Sequence, residues 1–536
     1  MLKSNRPLIM GENGAVATNH PQATSIGLDV LRSGGNAVDA SVVISLALGI
    51  VEPGMSGLGG DGFYHVWLAS TSKTLVYNGT GTAPKAAAKD QTFSKGVPVF
   101  GPLSVSLPGM VGGLGELHKD HGSKSWQSLC DQAARLAADG FFVTHAYRSF
   151  SQNASEKILS NETSQKIFFD KGAPPDIGTK IKQPKLYQTL TQLGDEGSDG
   201  FYRGDLADTI IKDAEVAGLL MSKSDLAECY PEVQDSIAVK YRNFEIFQTP
   251  PNSTGFVMLQ ELKILENFDI SNMNFHDPEL IHIMVEAKKY AFLDRERYGA
   301  DPRFSEVPID HILSGTHTSN LAEKIDLQKA ARIPLLIDTQ LEKWTTYFCV
   351  VDKDGNAVSA IQSINSPFGS GVTGASTGIL FNNRMAYWHL ATGHPNNLAT
   401  GKRVRHTMNA PIIVRDGKVW AAFGTPGADN QVQVNFQIAV ALMDYGLDPQ
   451  QAAEATRWTS SQPNQGANWP HDGDYSLSIE NGLPASCIAN LRRLGHEVEI
   501  VPPLEGPCSV ACIQLLNNNT LMAGSDPRRD GWAAAF

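Results

Sequence analysis

The chain has 536 residues, with 44 Lys+Arg against 56 Asp+Glu and a formal net charge of −12. Hydrophobic residues make up 42 % and charged residues 19 %, a globular balance that excludes a disordered chain. The acidic excess excludes nucleic acid as the main partner, because phosphate binding needs a basic footprint and Arg403-Val404-Arg405 is too short to supply one.

The length fits three or four domains or one large α/β unit. The opening sequence has no apolar core of a signal peptide. No apolar run approaches the ~20 residues that span a bilayer. The longest, Ala40 to Val51, is broken by Ser41 and Ser45 and reads as a buried helix. Six scattered cysteines predict free thiols in a reducing cytoplasm. Cys508 and Cys512 lack a second ligand pair, so no metal is expected. Triplets such as Asn78-Gly79-Thr80 carry no glycosylation meaning in a cytoplasmic chain.

In chain order, Thr24 to Ser33 is a predicted helix ended by Gly34-Gly35. Ala37 to Ile50 is a nearly all-apolar helix that must be buried. After glycine-rich turns, Phe63 to Trp67 alternates as a strand. The middle third reads as helical and polar, with one long amphipathic helix from Leu280 to Tyr298. Asp326 to Trp344 has no period and reads as an exposed connector. Thr346 to Asp352 and Ala357 to Ser366 are predicted strands around the hairpin signal Asp354-Gly355. Pro411 to Val414 and Val419 to Phe423 repeat that pattern, and Gln431 to Tyr445 is a helix. Helices outside two strand-rich blocks predict a layered α/β fold.

Gly57 to Gly62 matches the G-x-G-x-x-G string, but a strand follows it and no acidic residue lies about twenty positions on. It therefore reads as a tight turn against another backbone. The signatures of phosphate-binding loops, zinc proteases and serine hydrolases are absent.

Five blocks occur in one order. They are Gly34-Gly35-Asn36-Ala37-Val38-Asp39-Ala40, Glu52 to Gly60, Thr345 to Asp352, Gly424-Thr425-Pro426-Gly427 and Ser525-Asp526-Pro527-Arg528. Together they resemble the γ-glutamyltransferase (γ-glutamyltranspeptidase) family over almost the whole chain, from about Gly14 to Arg528. The resemblance implies a four-layer αββα N-terminal-nucleophile hydrolase made as a proenzyme that cuts itself before a threonine. Thr345 matches that position. Cleavage between Trp344 and Thr345 would give pieces 1–344 and 345–536, together forming one catalytic unit.

The chemistry has its own logic. A threonine hydroxyl needs an adjacent base. Cleavage exposes the threonine's α-amine, whose ordinary pKa of about 7.7–8.0 suits it to take and return the proton. No metal or other cofactor is called for. The resemblance places Gly427-Ala428 at the family's paired-glycine oxyanion turn, where Ala428 still offers an N–H if its φ is negative. It also matches Ser363 to a hydroxyl that bonds the nucleophile and Asn365 to an asparagine beside the substrate.

The glutamyl-recognition residues differ. The family's arginine for the α-carboxylate reads as Thr80, which supplies no charged clamp. Its aspartate for the α-ammonium reads as Tyr387, and its serine pair as His406-Thr407. Arg384 is a new cation, which with Tyr387 and His406 suits a carboxylate held in a different place; as a purely structural residue it reads as a surface salt bridge. Two lost charge-assisted contacts cost roughly 1.5–3 kcal/mol each. The stretch from Trp388 to Arg405 is short for the family's lid loop, which favours hydrolysis over transfer.

This pattern is similar to a cytoplasmic side branch with oxamate amidohydrolase and cephalosporin-acylase-like members. The first reading is a self-processing threonine amidohydrolase acting on a small, carboxylate-bearing amide. The second is a true γ-glutamyltranspeptidase or glutathione hydrolase. A third, of another class, is a catalytically silent binding protein on the same fold. The expected partners are the small-molecule amide and the two pieces of one precursor, without nucleic acid or membrane. A homo-oligomer of the two-piece unit is compatible with the sequence.

Overall fold

The hairpin at Asp354-Gly355 forms as the sequence predicts. Thr346–Asp352 pairs antiparallel with Ala357–Ser363, with Thr346 opposite Gln362. Gly355, at φ 81°, takes the left-handed turn position that a side chain disfavours. The computed structural model describes residues 4–88, 93, 96–335 and 345–536. Trp344 and the rest of 336–344 lie outside the described residues.

This hairpin is the centre of a seven-stranded sheet. In spatial order the strands are Trp532–Ala535, Gly14–Thr18, Thr346–Asp352, Ala357–Ser363, Asp61–Leu68, Lys73–Gly79 and Glu232–Gln234. A second seven-stranded sheet runs Ile9–Gly11, Leu521–Ser525, Ala511–Leu515, Lys418–Gly424, Ile412–Arg415, Phe244–Gln248 and Ile237–Tyr241. Every pairing within these two sheets is antiparallel.

Alternation along Thr346–Asp352 sets the layers. Tyr347, Cys349 and Val351 enter the core between the sheets with Phe63, Ile361, Ile412 and Ile513. Phe348 and Val350 point the other way, into the core under Pro21–Arg32, Ala37–Val51 and Pro184–Arg203. The outer face of the second sheet is covered by Phe256–Leu265, Pro278–Tyr298 and Asn430–Met443. The order is helix, sheet, sheet, helix, the αββα stack expected. Among the described residues no helix is long and apolar enough to cross a membrane. All six cysteines are buried and unpaired.

The sequence blocks have physical causes. Asn36 and Asp39 exchange side-chain-to-backbone bonds at the start of Ala37–Val51, a reciprocal cap, while Gly34 at φ 81° ends the preceding helix. Cβ atoms on Gly59 and Gly60 would overlap the carbonyls of Leu380 and Ser363, so the glycine string is the close backbone approach predicted. The Ser525-Asp526-Pro527-Arg528 block forms a buried network: Asp526 accepts from Arg457 (2.9 Å) and the Val510 N–H (2.9 Å), and Arg528 bonds Glu480. From Asp326 to Leu335 the connector is mostly exposed, as expected.

The helical reading of the middle third missed Ile237–Tyr241 and Phe244–Gln248. These alternate apolar and polar residues, but their tight turn uses Arg242 at φ 54° rather than a glycine.

Candidate active site

Thr345 stands directly before the central strand and is buried. Its Oγ1 donates to Ser363 Oγ at 3.3 Å. The hairpin register dictates this meeting, since Ser363 ends the partner strand one step beyond the Thr346–Gln362 pair. The Asn365 N–H donates to the same Ser363 oxygen at 2.8 Å. Asn365 has φ 82°, a conformation that asparagine tolerates better than most residues. Its amide donates to Asn383 O (3.0 Å) and Asn468 Oδ1 (2.9 Å), which aims Oδ1 at Arg384 Nη1, 3.4 Å away.

Arg384, Tyr387, His406 and Thr407 come together, as predicted, but around a residue the sequence reading passed over. Arg384 is 1 % exposed and its Nε donates to Asp61 Oδ2 at 3.1 Å. This corrects the surface salt bridge reading: the pair is buried on both sides. Asp61 also accepts from the Gly81 N–H at 2.8 Å and lies 3.4 Å from His406 Nε2. The guanidinium sits 4.5 Å from the Tyr387 ring centroid, and the Tyr387 hydroxyl lies 3.1 Å from Thr407 Oγ1. The carboxylate on Arg384 is therefore partly the protein's own.

Burial alone would raise the Asp61 carboxyl, but the His406 bond and the Arg384 charge outweigh it and hold it below the ordinary carboxylate range. Burial, reinforced by the Arg384 charge, pushes the His406 imidazole down to about 4. His406 is thus neutral at pH 7. With Nε2–H turned toward Asp61, its Nδ1 is an acceptor. Arg384 Nη2 and His406 Nδ1 are both buried without a hydrogen-bond partner. One is a donor and the other an acceptor.

Thr80 is not brought to this cluster by its hydroxyl. That group donates to Asn78 Oδ1 (2.7 Å) and accepts from Asn252 Nδ2 (3.3 Å).

Gly427 and Ala428 form the expected turn, at φ 129° and 49°. The condition of a negative φ at Ala428 is not met: it stands in the left-handed region. A Cβ at Gly427 would overlap Cys508 Sγ, so the glycine is required there. In the orientation that satisfies both ends of its amide, Gln431 donates to Thr407 O (2.9 Å) and accepts from the Ala428 N–H (3.2 Å). The Ala428 donor is therefore engaged in the single chain. Left-handed backbone costs an alanine about 1–2 kcal/mol. Ala428→Gly is expected to raise unfolding stability by about 1 kcal/mol, after the greater chain entropy of glycine is set against the relief. The midpoint of denaturant unfolding checks this.

Other neighbours were missed. Lys157 Nζ donates to Ser366 Oγ (3.1 Å) and Pro367 O (2.8 Å), bracing the segment after Asn365; burial lowers its pKa to about 7. Arg529, next to the recognised C-terminal block, reaches the Thr345 carbonyl at 3.5 Å. Glu52 bonds Thr346. Glu52 lay inside a block read for its resemblance, and Asp61 inside the glycine string read as a turn. Nothing local marks Lys157.

An αββα stack whose central strand opens on a hydroxyl residue is the architecture of the N-terminal-nucleophile hydrolases, and this chain is an enzyme of that class. It belongs to the gamma-glutamyltranspeptidase family, whose model matches residues 23–536. It is 34 % identical over 535 residues to a glutathione hydrolase-like YwrD proenzyme of Bacillus subtilis, covering 98 % of this chain and 99 % of that one. It is 30 % identical to an acylase ACY 1 proenzyme of a Pseudomonas species, covering 98 % and 94 %. The crystal structure of cephalosporin acylase from Bacillus halodurans matches with a TM-score of 0.91 at 30 % identity, covering 100 % of this chain and 98 % of that one.

Proposed function

We propose that this enzyme is a self-processing threonine amidohydrolase for small amides whose acyl part carries a carboxylate, oxamate-like in size. Cleavage after Trp344 gives pieces 1–344 and 345–536, and frees the Thr345 amine. The proenzyme relatives support that step. The amine takes the Thr345 hydroxyl proton as Oγ1 attacks the amide carbon. Ser363 Oγ, 3.3 Å away, orients the nucleophile. The Gly427 N–H of the turn meets the oxyanion, the Ala428 N–H being bonded to Gln431. The proton returns to the leaving amine, and water then cleaves the acyl-enzyme. A polar cavity of about 740 Å³ that reaches Gly427 supports access by water. The six unpaired cysteines support a cytoplasmic setting.

One observation carries the substrate class. The buried, unpartnered Arg384 Nη2 is linked through Asn365 and Ser363 to Thr345. An anionic oxygen satisfies that donor. The acceptor at His406 Nδ1 and the Asp61 carboxylate favour a second reading, a γ-glutamyl group whose α-ammonium donates to them. The first reading ranks higher because Asp61 is already committed to Arg384 and the Gly81 N–H.

The test compares oxamate, a glutaryl amide and a γ-glutamyl anilide on one processed preparation. The expected result is a kcat/KM for oxamate or the glutaryl amide at least about tenfold above the anilide, the worth of about 1.4 kcal/mol in transition-state binding. A preference for the anilide would reverse the ranking.

A further inference from the structure

Glu52 ends the apolar helix Ala37–Val51, its N–H bonded to the Leu48 carbonyl at 2.9 Å. The buried helix thus carries one carboxyl to the edge of the catalytic hairpin. Glu52 Oε2 accepts from Thr346 Oγ1 at 2.7 Å, and Thr346 Oγ1 accepts from Asn19 Nδ2 at 3.3 Å. On the same dipeptide, Arg529 Nη1 reaches the Thr345 carbonyl. Residues 345 and 346 are thereby held by three separate segments of the chain. A cavity of about 20 Å³ adjoins Glu52, His20, Tyr147, Phe368 and Asp530, room for a single water.

The charged and titratable groups around Glu52 are few. Arg529 and Asp530 face it from the C-terminal segment, His20 from the turn before Pro21–Arg32, and Tyr147 from His145–Asn153. Burial dominates and raises the Glu52 carboxyl to about 8; the Thr346 bond and Arg529 oppose it, and Asp530 adds to it. Burial also holds His20 neutral, with a pKa of about 4. At pH 7 Glu52 is mostly uncharged. That state has a purpose in a residue bonded to Thr346, the neighbour of an amine that must act as a base. A carboxylate bonded to the adjoining Thr346 would stabilise the charged form of the freed Thr345 amine and leave less free base. A neutral acid offers the same hydrogen-bond acceptor without that penalty.

We propose that Glu52 is a positioning residue: through Thr346 it fixes the start of the strand on which the Thr345 amine and hydroxyl sit, and its charge state tunes that amine. This rests on the reading of Thr345 as nucleophile. The test uses full-length Glu52→Gln and Glu52→Ala. Self-cleavage is followed on a denaturing gel. On the processed fraction, kcat and KM are then measured against pH with the substrate the panel selects.

Glu52→Gln keeps the acceptor and nearly the same shape, so it isolates the charge. It is expected to hold kcat at pH 7 within about threefold, since the geometry is kept. In the wild type kcat/KM is expected to respond to two interacting ionisations between about pH 7 and 9, and in Glu52→Gln to one. Glu52→Ala is expected to lose about 10–100-fold in kcat with KM little changed, the scale of a misplaced nucleophile. Coincident pH profiles for wild type and Glu52→Gln would overturn the proposal. So would Glu52→Ala with full kcat at every pH. Failure of the nucleophile reading has a different mark, activity in Thr345→Ala.

Discussion

Thr345→Ala is expected to remain one chain of 536 residues and to lose roughly 10⁴–10⁶-fold in amide hydrolysis relative to the processed wild type, the scale on which removal of a covalent nucleophile is felt. Two nearby hydroxyls invite substitution, and neither suits the role. Ser363 ends a strand inside the chain, so no backbone cleavage gives it an amine. Thr346 Oγ1 is committed to Glu52 and Asn19. The loss should therefore be close to complete. Thr345→Ser, which keeps a hydroxyl, should still split and still turn over. The measurements are a denaturing gel, the N-terminal sequence of the small piece and turnover by the variant. A Thr345→Ala protein that still cuts before residue 345, or a sealed chain with full activity, sinks the assignment.

The sequence is legible where local physics decides. The Asp354-Gly355 hairpin, the Asn36–Asp39 cap and the all-apolar Ala37–Val51 are each set by residues within a few positions of one another. Gly59 and Gly60 make the close approach that the glycine string predicts, although their partner carbonyls lie more than 300 positions away. What escaped is of two kinds. Strands 237–241 and 244–248 turn on an arginine at positive φ, where a glycine signal was sought. The Asp61–Arg384 pair joins residues 323 positions apart, and only the folded sheet makes them neighbours. Arg384 was recognisable as a new cation. Its counter-ion was not, and that decides how much of its charge remains for a ligand. The condition set for Ala428 fails for a separate reason. Its φ is imposed by the turn between a strand and a helix, against its own preference.

Arg384→Gln is expected to lower kcat/KM on carboxylate-bearing amides by about 10–150-fold, the worth of one charge-assisted hydrogen bond of 1.5–3 kcal/mol, while self-cleavage continues. The single variant is not a clean instrument. It leaves Asp61 buried with only a neutral imidazole and the Gly81 N–H beside it, and an uncompensated buried charge costs about 3–5 kcal/mol. Stability and binding would fall together. The double variant Asp61→Asn/Arg384→Gln removes both charges and should recover most of the lost stability. It should not recover use of anionic acyl groups, because the Nη2 donor is still gone. Asp61→Asn alone acts in the opposite direction on binding. It withdraws the internal carboxylate from Arg384, so KM for an anionic acyl amide should fall even as the protein weakens. Asp61 is held below the ordinary carboxylate range, so its contribution to stability is present above about pH 4 and is lost as the pH falls through its folded value. Asp61→Asn should accordingly flatten the acid limb of the stability profile. If the double variant hydrolyses oxamate or glutaryl amides as fast as the wild type, Arg384 serves Asp61 alone and the substrate's carboxylate lies elsewhere.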